Sequence, residues 1–106
     1  MTITYKTFKQ VFIREINREI EMVIEKFNIP EDTYASIKDT ANKSEGEMLV
    51  IECEIYGESI CVKSPMNYLF HLYSCHDISI REIVFYTVKN YIDKMTEISA
   101  ELEKNL

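Results

Sequence analysis

Residues 48–62 read MLVIECEIYGESICV, and their periodicity sets the architecture. Leu49, Ile51, Cys53 and Ile55 alternate with Val50, Glu52 and Glu54, the period of two expected of a half-buried strand. Gly57-Glu58 predicts a tight two-residue turn, after which Ile60 and Val62 carry the same apolar face on a further strand. With only those two residues in the loop, Ile60 opposes Ile55 and Val62 opposes Cys53, so both strands present one apolar face. The same register sets Lys63 opposite Glu52 and Cys61 opposite Glu54 on the other face.

Working outward, a shorter alternation at Ala35 and Ile37 predicts a preceding strand, ended by the polar run Asn42-Lys43-Ser44-Glu45-Gly46. Upstream of it, Phe8, Val11, Phe12, Ile16, Ile20, Val23, Ile24 and Phe27 follow the i, i+3, i+4 spacing of one helical face, with Asn28 and Pro30 as the stop. Downstream, Ser64-Pro65 predicts a helix start, serine as N-cap and proline at the first helical position, for a short apolar helix through Tyr68, Leu69, Leu72 and Tyr73. His76-Asp77 breaks that helix. Ser79-Ile80-Arg81-Glu82 has capping-box spacing, and the apolar stripe from Ile80 to Leu102 predicts a last helix of roughly 24 residues, about 36 Å at 1.5 Å per residue.

The order α-β-β-β-α-α predicts an α+β fold over residues 1–106 as one domain. It is a two-layer sandwich of a three-stranded antiparallel sheet with two long helices and one short helix on one face. The other sheet face would carry Met48, Val50, Glu52, Glu54 and Tyr56. A strand of half a dozen residues spans only about 20 Å. The long helices are therefore expected to reach past the sheet and to pack on each other or on a second copy, a homodimer through the long helices.

The 106 residues, 46% of them hydrophobic, suffice for one core. No apolar run approaches the roughly 20 residues that span a bilayer, Met1–Gln10 lacks a signal layout, and Cys53, Cys61 and Cys75 are an odd, irregular set that suits reduced thiols. These features predict a cytoplasmic protein. The net charge of -6 repels a polyphosphate backbone, so no direct nucleic-acid partner is expected. An acidic surface instead suits a basic groove on another protein.

The second half, Ile60-Cys61-Val62-Lys63-Ser64-Pro65, then Tyr68-Leu69, Tyr73 and Ile80-Arg81-Glu82-Ile83-Val84, resembles an uncharacterised domain family of gut Firmicutes, one of the domains of unknown function. The first helix and hairpin match in order. The resemblance implies the fold and a bacterial or phage origin, and it carries no catalytic residue.

Gly46 and Gly57 are the only glycines, so neither a phosphate-cradling loop nor a dinucleotide fingerprint can be assembled. His71 and Cys75 stand one helical turn apart and, with His76 and Asp77, are the nearest approach to a metal set; the competing reading is a half-exposed histidine, a small hydrophobic cysteine and a helix-end histidine. Cys75 beside His76 is the sole local nucleophile–base pair, and neighbours on a helix point apart. Glu52 and Glu54 could serve as paired carboxylates in a cleft but on an open sheet are solvated. The expectation is therefore no catalytic residue, no metal, no cofactor and no enzyme.

Between Glu45 and Val62 stand five glutamates, Glu45, Glu47, Glu52, Glu54 and Glu58, and no lysine or arginine. Either they keep a sheet face soluble or they form an acidic docking surface with Tyr56 and Met48 as apolar anchors. The second possibility predicts a small protein-binding inhibitor or adaptor from a phage or mobile element, set on a basic, nucleic-acid-handling host protein; an anti-CRISPR protein would be one instance. A structural or regulatory homodimer is the alternative.

Overall fold

The computed structural model describes residues 3–40 and 46–105. It is an α+β fold with elements in the expected order: α1 (Tyr5–Phe27), β1 (Tyr34–Asp39), β2 (Glu47–Ile55), β3 (Glu58–Pro65), α2 (Met66–Cys75) and α3 (Ile80–Lys104). The strands form one antiparallel sheet in the order β1-β2-β3.

Helix α1 starts where the Thr4 hydroxyl accepts the Thr7 N–H, filling one of the open donors of the first turn, and stops at Asn28, whose φ of 54° ends the helical geometry. Phe8, Phe12, Ile16, Ile20 and Val23 form its buried stripe. Phe27, expected on that stripe, is exposed beside the helix end. Ser79 caps α3 by accepting the Glu82 N–H, and Ile83, Val84, Val88, Tyr91 and Met95 are its buried face. Phe8 stacks on Phe12 and Tyr73 and meets Phe70 at 5.3 Å, tying α1 to α2 through aromatic contacts. Among the described residues no helix is long and apolar enough to cross a membrane.

Two further sequence expectations are corrected. The turn residues are Tyr56-Gly57, not Gly57-Glu58, and the register pairs Ile55 with Glu58, Cys53 with Ile60, Glu52 with Cys61, Ile51 with Val62 and Val50 with Lys63. Both turn residues have positive φ, 53° and 79°, the signature of a type I′ hairpin that matches the twist of its strands. A slip of two residues leaves every side chain on its expected face, so alternation alone does not separate the two registers. The second correction is at Ser64-Pro65, which continues β3 opposite Leu49 and Met48 rather than opening a helix. A residue before proline is driven to extended geometry; Pro65 becomes the cap residue of α2 at φ -64°, ψ 127°, and the helix begins at Met66.

The two long helices end differently, α1 in the exposed residues 25–28 and α3 against the sheet. Ile98 and Leu102 are half-buried against the core, and the Tyr56 hydroxyl reaches Glu103 at 3.2 Å, so the end of α3 packs on its own hairpin.

Candidate functional site: an acidic end around the β2–β3 turn

Strand parity decides the fate of each glutamate. Glu47 shares the face of Leu49, Ile51 and Cys53 and therefore looks toward the helices, where its carboxylate accepts from Lys9 Nζ at 2.7 and 2.9 Å and from the Tyr5 hydroxyl at 2.9 Å. The Lys9 hydrogen bond, aided by that of Tyr5, holds Glu47 below the ordinary carboxylate range. Burial, then the hydrogen bond to Glu47, pushes the Tyr5 phenol well above its ordinary value. The parity of the strand already carried this signal.

Glu52 and Glu54 share the outer sheet face as expected, yet they differ. Glu52 accepts from the Tyr34 hydroxyl and from Lys38 Nζ at 3.2 Å, with Tyr34 the larger cause of its lowered pKa. Glu54 is exposed. Its backbone N–H, which the shorter β1 does not reach, donates to Asp32 Oδ2 at 3.1 Å. Glu58 is exposed at the start of β3, and Met48 is half-buried on the outer face between Lys38 and Pro65. Glu45 lies outside the described residues.

The five glutamates therefore do not make one acidic face. Two are neutralised within the chain, while Glu54 and Glu58 flank the hairpin turn, where Asp32, from the turn before β1, binds the Glu54 N–H and Glu103, from the end of α3, binds the Tyr56 hydroxyl. Among the described residues none of these four carboxylates is in an ion pair, whereas Glu47 and Glu52 both are. Tyr56, the first residue of the turn, is 56% exposed and at a φ that an L side chain seldom adopts. Sequence reasoning missed Asp32 and Glu103, because residues so far apart are joined only by the fold.

The other sequence candidates stay apart. His71, Cys75, His76 and Asp77 are all exposed at the end of α2; the two imidazoles meet edge to face at 5.1 Å, and Cys75 Sγ lies 3.6 Å from Ser74 Oγ. Among the described residues no three His, Cys, Asp or Glu side chains converge on a metal position. Cys53 is buried, and all three cysteines are free thiols.

A second surface lies on the seam of α1 and α3. The helices run parallel there: Val11, Arg18 and Met22 face Ile80, Arg81 and Phe85 across one groove, and Val23 and Phe27 face Val88 and Ile92 across the next. Met22, Phe27 and Phe85 are each more than half exposed along it.

No protein-family model, curated protein or solved structure matches this chain.

Proposed function

We propose that the protein is a small cytoplasmic inhibitor or adaptor of phage or mobile-element origin that docks its acidic end on a basic, nucleic-acid-handling host protein, as an anti-CRISPR protein would. One observation carries this reading. Glu54 and Glu58 flank the exposed Tyr56-Gly57 turn, Asp32 binds the Glu54 N–H, Glu103 accepts from the Tyr56 hydroxyl, and none of these four carboxylates has an ion-pair partner among the described residues. Unpaired carboxylates steer toward a positive groove, and an exposed aromatic ring supplies the area that anchors such a contact. Glu47 and Glu52 have a different role in this scheme: their pairs with Lys9 and Lys38 hold the hairpin in place.

The test is affinity capture from a Firmicutes host lysate with the wild-type chain beside Glu54→Lys/Glu103→Lys. Glu52→Lys is a poorer probe, since it sets a cation against Lys38. A basic host protein retained by the wild type, released by nucleic acid and lost by the folded double variant is the expected result. Equal retention by both would sink the proposal. The alternative, a structural or regulatory homodimer through the long helices, draws on the exposed Met22, Phe27 and Phe85; Phe85→Glu would then abolish self-association.

A further inference from the structure

The two sheet edges differ at one place: β1 has a pair of outward backbone groups held by a side chain, and among the described residues β3 has none. In a two-residue hairpin the residues flanking the turn, here Ile55 and Glu58, exchange backbone hydrogen bonds, and every second pair after them does the same. Ile60, Val62 and Ser64 therefore bond to β2, and the N–H and C=O groups of Ser59, Cys61 and Lys63 point away from the sheet. On β1 the equivalent outward groups of Ala35 are occupied, its N–H donating to Asn17 Oδ1 at 2.9 Å and its C=O accepting from Asn17 Nδ2 at 3.0 Å. Among the described residues no backbone partner outside the sheet meets Ser59, Cys61 or Lys63.

Beside this open edge runs a groove of about 450 Å3 between β3 and the helices α2 and α3. Ile51, Leu69 and Ile83, all buried, form its floor, and Tyr68 and Tyr86 stand exposed at its mouth. An unpaired strand edge along an apolar groove accepts one kind of ligand, an extended polypeptide strand whose alternate side chains enter the groove.

We propose that the occupant is β3 of a second copy of this chain, paired antiparallel about a two-fold axis through Cys61, so that two three-stranded sheets join into one of six strands. The self-complementarity of β3 selects this occupant. The axis sets Ile60 against the partner's Val62 on the face that continues toward the groove, and Ser59 against the partner's Lys63 on the other. No like charges oppose each other, although the chain carries a net charge of -6. It also brings the partner's Glu58 opposite Ser64, at the groove rim where Lys63, Ser64 and Asn90 present donors. The hairpin tips then point to opposite poles, each about five residues or roughly 16 Å from the axis, leaving Asp32, Glu54 and Glu103 of both copies free. This pairing does not depend on the inhibitor reading, and the captured variant Glu54→Lys/Glu103→Lys does not touch it.

Sedimentation velocity over a range of concentrations tests it, with Cys61→Lys as the variant. Cys61 is an exposed, outward-facing strand residue, so the substitution leaves the core intact while opposing two cations across the axis. The wild type is expected to sediment as a dimer and Cys61→Lys to weaken dimerisation by about tenfold or more. A short bismaleimide, which adds one thiol across each of its two C=C bonds, gives a second measurement in a Cys75→Ser background. Opposed Cα atoms about 5.5 Å apart would yield a covalent dimer, lost on Cys61→Ser. A wild type that stays monomeric at every concentration overturns the proposal, and so does a dimer indifferent to Cys61→Lys but dissociated by Phe85→Glu, which would put the interface on the helices.

Discussion

Asn17, in the middle of α1, binds Ala35 as a neighbouring strand would: its side-chain amide accepts from the Ala35 N–H and donates to the Ala35 C=O. Asn17 Nδ2 also donates to Ile13 O at 3.1 Å, which fixes the amide orientation from within the helix. One side chain thus occupies both outward backbone groups of Ala35 and pins α1 to β1.

Replacing Asn17 by alanine leaves two backbone groups of the buried Ala35 without partners and is expected to cost about 1–3 kcal/mol. Asn17→Asp keeps the acceptor and loses the donor, so it should fall between the wild type and Asn17→Ala above pH 6. Urea unfolding of the three proteins, with unchanged denaturant slope, measures this.

Glu47 links the first helix to the sheet through Lys9 and Tyr5, and its pKa is depressed in the fold. A depressed carboxylate contributes stability that is present above its unfolded value, about 4.3, and disappears as pH falls through the lower folded value. Its side chain is 26% exposed and that of Lys9 30%, so solvent screening limits the pair to about 0.5–1 kcal/mol. Glu47→Gln should lower stability at pH 7 by that amount and flatten the acid limb of the stability–pH curve below pH 4.5, read by thermal unfolding across pH.

Tyr56 holds a left-handed turn position better suited to asparagine or glycine. Tyr56→Asn should therefore stabilise the hairpin by about 0.5–1 kcal/mol, less a small loss from the exposed bond to Glu103. The same change should weaken capture of the proposed host partner, since it removes the exposed ring. A gain in stability with undiminished capture would show that the tyrosine is not an anchor. Gly57→Ala is the converse control: a Cβ there meets open space, yet at φ 79° it should destabilise by about 1–2 kcal/mol from backbone strain alone.

The Tyr91 hydroxyl is buried beneath the sheet beside Cys53 and Thr33 without closing a hydrogen bond of full geometry to either. Burial, followed by the adjacent Cys53, pushes its pKa well above the ordinary tyrosine value. A buried hydroxyl without a partner costs free energy, so Tyr91→Phe should be neutral or stabilising by up to about 1 kcal/mol. Chemical denaturation decides it. A loss above about 1 kcal/mol would mean that the hydroxyl makes a real hydrogen bond in solution.

Much of this fold is legible in the chain, because a buried stripe at Phe8, Phe12, Ile16 and Ile20, or an alternation at Leu49, Ile51 and Cys53, is a local pattern that folding only has to honour. The stop at Asn28 and the cap at Ser79 are legible for the same reason: each acts within one turn of itself, Asn28 through a left-handed backbone and Ser79 by accepting the Glu82 N–H. The register of the hairpin is not, since Tyr56-Gly57 and Gly57-Glu58 preserve the same faces and differ only in which backbone pairs close. Nor is the state of each glutamate. Glu47 is neutralised by a lysine 38 positions upstream, and Glu54 meets Asp32, and Tyr56 meets Glu103, only because the turn before β1 and the end of α3 both reach the β2–β3 hairpin. Charge is written residue by residue, but whether it is spent on an internal pair or presented to a partner depends on long-range packing. That is why the sequence determined an acidic α+β sandwich, while the tertiary structure alone decided where its unpaired acid lies and where a helix side chain meets the sheet edge.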